Sequence, residues 1–125
     1  MMKKDELMGK ELANLYAMAK QVNQFFADRT ISFLSDYSHG LLSQYRAVSR
    51  NNENQVLESL RRLEINPGNT VDSVVREILE NLNDILSKKD LEDDVREMAF
   101  VMSLNRLVHY HMASMANLEY GTEAL

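Results

Sequence analysis

The chain has 125 residues, 45% hydrophobic and 26% charged, with no cysteine and a formal net charge of −5. This length predicts one domain, spanning residues 1–125, with enough chain to bury a substantial core. The lack of cysteine excludes disulfides, thiolate nucleophiles and cysteine-ligated zinc. The negative charge argues against nucleic-acid binding, which needs a basic face.

The N-terminal segment MMKKDELMGKEL is charged and lacks the apolar run of a signal peptide. No apolar run approaches the roughly 18 residues that a transmembrane helix needs. We therefore expect a cytoplasmic protein that does not enter a membrane.

Apolar residues at helical spacing predict four helices, over residues 5–34, 41–65, 71–87 and 91–120. Turn-forming residues separate them at 35–40 and at 66–69, and Thr70 is the predicted cap of the third helix. One proline and four glycines suit long helices. Short connections between long helices predict an all-α, antiparallel four-helix bundle.

The second predicted helix has a seam whose middle is polar: Leu42, Tyr45, Ser49, Asn52, Val56, then Ser59 or Leu60, then Leu63. The third has a clear apolar stripe: Val71, Val74, Val75, Ile78, Leu82, Ile85 and Leu86.

The fourth predicted helix has two seams at heptad spacing, so we expect it to be the central helix, covered on two sides. One seam is Val101, Leu104, Val108, His111, Met115 and Leu118. The other is Leu91, Val95, Met98, Met102, Asn105, His109, Met112 and Ala116. Residues pointing away from the Leu91–Met98–Met102 stripe exceed what one bundle core needs. We predict that Phe100, Leu107 and Leu118 form a homodimer interface, extended by Tyr110 and Ser114.

Few residues of the sequence are candidates for catalysis or metal binding. His109 and His111 are two residues apart, so they point to different sides of a helix and cannot bind one ion together. His111 is either a hydrogen-bonded core histidine or a metal ligand, and His39 is expected in a surface turn. No seam carries two acidic residues, and no nucleophile elbow or phosphate loop is present. We therefore expect no enzymatic activity.

Three segments resemble the small bacterial ferritin-like proteins typified by YciE and YciF. Residues 11–21, ELANLYAMAKQ, are similar to the family's opening E-L-x-D-L-Y-x-A-E-K-Q. Residues 63–70 resemble its short linker with proline and glycine. Residues 104–113, LNRLVHYHMA, are similar to its motif A-Q-x-V-E-H-Y-E-I-A. The resemblance implies a ferritin-like bundle with a role in stress adaptation.

The resemblance also implies a two-metal carboxylate site at the bundle centre, but most of its ligands are missing here. The family's glutamate on the first helix falls on Ala19, and its His-x-x-Glu on the second falls on Ser49 and Asn52. Its paired glutamates on the fourth helix fall on Val108 and His111. Only His111 remains able to bind a metal, and one imidazole does not hold a pair of hard cations.

The favoured interpretation is therefore a non-enzymatic ferritin-like bundle with a degenerate metal site and no cofactor. It would act through self-association, as a homodimer, or through a protein partner. An alternative is an iron or manganese site in which His111 is joined by Glu53, Glu119 or His109. A further alternative is an unrelated helical adaptor. The sequence itself names no ligand, partner or pathway.

Overall fold

The computed structural model describes residues 1–124, with side chains through Thr122. This part of the chain forms four helices: α1 (Lys4–Phe26), α2 (Asp36–Arg62), α3 (Ser73–Ser87) and α4 (Asp93–Ala124). The chain is 78% helical and the described residues contain no strand, which confirms the predicted all-α four-helix bundle. Within the same residues, no helix combines the length and apolar character needed to cross a membrane.

The most enclosed helix is α1, which contacts α2, α3 and α4. Between residues 1 and 124, α2 and α3 make no contact with each other. Ile65 lies beside Gly9, and Met8 beside Gly121, so the chain after α2 and the end of α4 both lie near the start of α1. The fourth helix, predicted to be the central one, likewise contacts all three other helices. The prediction that it is covered on two sides does not hold within one chain, because Met98, Met102 and Met112 are exposed.

The first helix ends at Phe26, eight residues before the predicted end at Leu34. Asp28 has φ of 60°, a left-handed conformation that cannot continue a right-handed helix and that aspartate tolerates better than most residues. The segment that follows is not solvated loop throughout, because Ile31 and Leu34 are buried. It folds back over one end of the core.

The predicted turn at 35–40 is instead the first part of α2, which begins at Asp36. Ser35 is the helix cap: its Oγ accepts a hydrogen bond from the Ser38 backbone N–H at 3.3 Å. The Ser35 backbone N–H donates to Glu97 Oε1 of α4 at 2.7 Å. Hydrogen bonds from Ser35 hold the pKa of Glu97 below its ordinary value. The Ser35 cap, which is hydrogen-bonded to Glu97 of α4, thus starts α2 within the segment that its turn-forming residues predicted to be a turn.

Of the two predicted seams of α4, the one through Leu104 and His111 lies in the core as predicted, whereas the other faces outward. Its buried residues include Phe100, Ser103, Leu104, Leu107 and His111, while Val95, Met98, Met102 and Met112 are exposed. The predicted interface at Phe100 and Leu107 was wrong, because both side chains are 0% exposed in the core of a single chain. Leu118 is half-buried and packs against the same core. The stripe through Met98 and Met102, taken for core, faces outward.

A closed polar centre around His111

The polar seam predicted on the second helix is confirmed except at its last residue, Leu63, which is exposed at the end of α2. Six residues of the seam are buried: Leu42, Tyr45, Ser49, Asn52, Val56 and Leu60. Their spacing of three and four residues places them on one face of α2. His111 of α4 is also buried, at 1% exposure. The bundle therefore encloses, at this point, polar groups that come from both α2 and α4.

Two hydrogen bonds join His111 to α2. Tyr45 Oη lies 2.8 Å from His111 Nδ1, and His111 Nε2 lies 2.9 Å from Asn52 Oδ1. Because the Asn52 oxygen can only accept, Nε2 carries the ring proton, and Nδ1 accepts from the Tyr45 hydroxyl. The Tyr45 and His111 rings meet edge to face, with centroids 5.7 Å apart. Both imidazole nitrogens are therefore used inside the protein.

Burial sets the charge of this centre. It lowers the pKa of His111 to about 4 and raises the pKa of Tyr45 above its ordinary value. Burial removes the imidazolium form of His111 and the phenolate form of Tyr45 from water, which disfavours a charge, so the neutral form of each is favoured. At neutral pH the centre is a chain of neutral donors and acceptors, with no fixed charge on His111 or Tyr45.

The remaining positions of the implied metal site supply no carboxylate. Ala19 and Ser49 are both 0% exposed. Val108 is half-buried and packs against the apolar core. Ser49 Oγ is buried and makes no hydrogen bond within the described residues. These positions supply a methyl group, a hydroxyl and a branched hydrocarbon, none of which carries the negative charge that a carboxylate offers a hard cation.

The other candidate ligands are dispersed. Glu53 is half-buried and accepts a hydrogen bond from Asn23 Nδ2 of α1 at 2.7 Å. Glu119 and His109 are exposed on α4, and His39 is exposed in the first turns of α2. In the part of the chain described, no three histidine, aspartate or glutamate side chains lie close enough to share an ion.

A second polar cluster, around Asp72, was missed at the sequence level. Asp72 caps α3 by accepting from the Val75 N–H at 2.8 Å, so Thr70 is not the cap. Its other oxygen accepts from Asn14 at 2.8 Å and from the Tyr110 hydroxyl at 2.9 Å. Gln21 bonds both the backbone N–H and the backbone carbonyl of Asp72. This buried carboxylate therefore ties α1, α3 and α4 together.

Burial and the neighbouring Asp72 raise the pKa of Tyr110 to about 12, which keeps its hydroxyl protonated as a donor. The signal that could have located the cap is an aspartate directly before the apolar stripe of α3. The contacts to α1 and α4 join residues more than 35 positions apart, so no local pattern could have indicated them.

Comparison of the chain with protein-family models, with curated proteins and with solved structures found no match.

Proposed function

We propose that this protein is a non-enzymatic helical bundle, a degenerate form of the ferritin-like dimetal proteins, and that it acts by protein association. The single observation that carries the proposal is the use of both His111 nitrogens in hydrogen bonds to Tyr45 and Asn52. The one remaining metal-binding side chain among the implied ligand positions is thereby occupied.

Metal binding at His111 would need a free lone pair on one ring nitrogen. Nδ1 uses its lone pair to accept from Tyr45, and Nε2 carries a proton directed at Asn52. Releasing either bond would leave a buried polar group unpaired, which costs about 1–3 kcal/mol. The incoming ion would find one imidazole and no carboxylate, too little to offset its own desolvation. The hydrogen-bonded centre stabilises the fold without an ion.

The proposed role in protein association is based on the outward-facing side of α4. Met98, Met102 and Met112 are each more than half exposed, and no catalytic arrangement accounts for such a surface. Contiguous exposed apolar patches are a feature of protein contact sites. Methionine is enriched in such contacts because its unbranched side chain adapts to the opposing surface.

Metal titration of the purified protein tests the proposal. We expect well under one equivalent of iron, manganese or zinc after purification without chelators, and no change in melting temperature when these ions are added. A site filled at a hundred times its dissociation constant would stabilise the fold by about 2.7 kcal/mol, or roughly 10 °C in a chain of this size.

The His111→Gln variant is the matched control. If the ions raise the melting temperature of the wild type but not of His111→Gln, a metal site at His111 replaces the proposal. Two tightly held ions per chain would also overturn it.

A further inference from the structure

The segment of α4 from residue 98 to residue 118 has one formally charged residue, Arg106. Over the whole chain, 26% of the residues are charged. At 1.5 Å per residue the segment is about 30 Å long, and one side of it faces outward. Protein contact surfaces are depleted in aspartate, glutamate and lysine and enriched in methionine and arginine. The composition of this segment follows that pattern on its exposed side.

Six of the exposed positions of the segment form a stripe with strict spacing of four and three residues, here named the outer stripe; Arg106, Ala113 and Asn117 are exposed beside it. Its members are Met98, Met102, Asn105, His109, Met112 and Ala116. All six are exposed, with Met98 at 62%, Met102 at 53% and Met112 at 55%. This is the repeat by which one helix packs along another.

The outer stripe is palindromic about position 107. Asn105 and His109 lie two residues from that position, Met102 and Met112 lie five, and the Met98–Ala116 pair lies nine away. In a two-fold contact, residue i of one copy meets residue j of the other, and j meets i. An antiparallel pair of α4 helices centred on position 107 therefore places polar residues opposite polar ones and apolar residues opposite apolar ones. The symmetric spacing follows from the repeat itself, whereas the matching of polar with polar and apolar with apolar residues about its centre is what a two-fold contact with a second copy requires.

The polar pair is also complementary in its hydrogen bonding. His109 Nδ1 lies 2.8 Å from the Asn105 backbone oxygen, so Nδ1 carries the proton and the exposed Nε2 is an acceptor. The Asn105 side-chain amide makes no hydrogen bond within the described residues, which leaves its N–H groups available as donors. Across the two-fold axis, Asn105 can donate to the partner's His109, and the reciprocal bond forms at the same time.

We propose that the outer stripe is the interface of an antiparallel homodimer centred on position 107, with two reciprocal Asn105–His109 bonds at its middle. This inference deepens the proposed association role by naming a second copy of the chain as the partner. The antiparallel direction also separates the acidic starts of α4. Asp93 and Asp94 of two parallel copies would lie side by side and repel each other.

Sedimentation velocity of the wild type and one charged variant is the first test. The wild type should sediment as a dimer, at twice the 14.4 kDa of the chain, at micromolar concentration. Met102→Glu places a carboxylate against the partner's Met112, twice per dimer, and should weaken association by about 100-fold or more. Val48→Glu is the matched control, since Val48 is exposed on α2, and it should leave the dimer unchanged.

Cross-linking tests the direction of pairing, because the chain has no cysteine of its own. A mixture of Asn105→Cys and His109→Cys chains should form disulfide-linked dimers far more efficiently than either variant alone. Efficient linking of each variant with itself would indicate a parallel pair and overturn the proposal. A wild-type monomer at all concentrations, or a dimer unaffected by Met102→Glu, would overturn it as well. Neither result bears on the metal-free centre, which the metal titration tests separately.

Discussion

Acidification should destabilise this protein in a pH window set by His111. Burial lowers the pKa of His111 from 6.5 to about 4 in the folded state. Above pH 6.5 the histidine is neutral in both states and contributes no pH dependence. As the pH falls from 6.5 towards 4, the unfolded chain binds a proton that the folded chain excludes, so the free energy of unfolding falls.

The magnitude follows from the gap between the two pKa values. At about 1.4 kcal/mol per pH unit, the full loss is roughly 3 kcal/mol, of which about 2 kcal/mol is lost by pH 5. That is a large share of the 5–15 kcal/mol that is typical of single domains, by order of magnitude. It should shift the urea midpoint measurably.

Urea unfolding at pH 7.5 and pH 5.0, at one fixed protein concentration, provides the assay. We expect the free energy of unfolding of the wild type to fall by about 2 kcal/mol more than that of His111→Gln, which has no titrating group at this position. His39→Gln is the control for the loss of a histidine outside the buried centre, since His39 is exposed. Equal pH dependence in the wild type and His111→Gln would refute the reasoning.

Three other substitutions should have distinct effects. Asp72→Ala should lower the free energy of unfolding by about 2–4 kcal/mol, because it removes a helix cap and leaves buried donors unpaired; chemical denaturation measures this, and Asp72→Asn should cost less. Phe100→Ala should cost about 3–5 kcal/mol, whereas Val48→Ala at an exposed site should change stability by no more than about 0.5 kcal/mol. A small loss for Phe100→Ala would contradict its place in the core. Below the ordinary pKa of glutamate, the free energy of unfolding of Glu97→Gln should depend less on pH than that of the wild type. The reason is that hydrogen bonds from Ser35 lower the pKa of Glu97 in the folded state. A reduced pH dependence of Glu97→Gln already at pH 6 would contradict this assignment of the effect to Glu97.

The inward face of α2 could be predicted from the spacing of its seam, although Ser59 and Leu60 remained alternatives for one position. Flanking charged residues such as Arg46, Arg50 and Glu58 occupy the other side of the helix, so Tyr45, Ser49 and Asn52 had to face inward despite being polar. Tyr45 and Asn52 of this seam are the two α2 residues that bind His111 in the polar centre. Their pairing with His111 depends on how α2 packs against α4, which the spacing within one helix does not determine.

The orientation of α4 could not be predicted in the same way. Between residues 98 and 118 apolar side chains occupy nearly every side of the helix, and Arg106 is the single formal charge. Several stripes therefore compete for the core, and tertiary packing selects the one through Phe100, Leu107 and His111. The cluster around Asp72 escaped prediction for a related reason, since its partners come from distant parts of the chain.

The central claim is that His111 is a neutral, internally hydrogen-bonded residue and not a metal ligand. Nitrogen-15 NMR of the imidazole tests it directly, because the two ring nitrogens have different resonances when one carries the proton. The account predicts a neutral ring at pH 7 with the proton on Nε2, and a spectrum unchanged when Zn²⁺ or Mn²⁺ is added in excess. A proton on Nδ1, a charged ring, or a His111 signal that shifts or broadens with metal would contradict it.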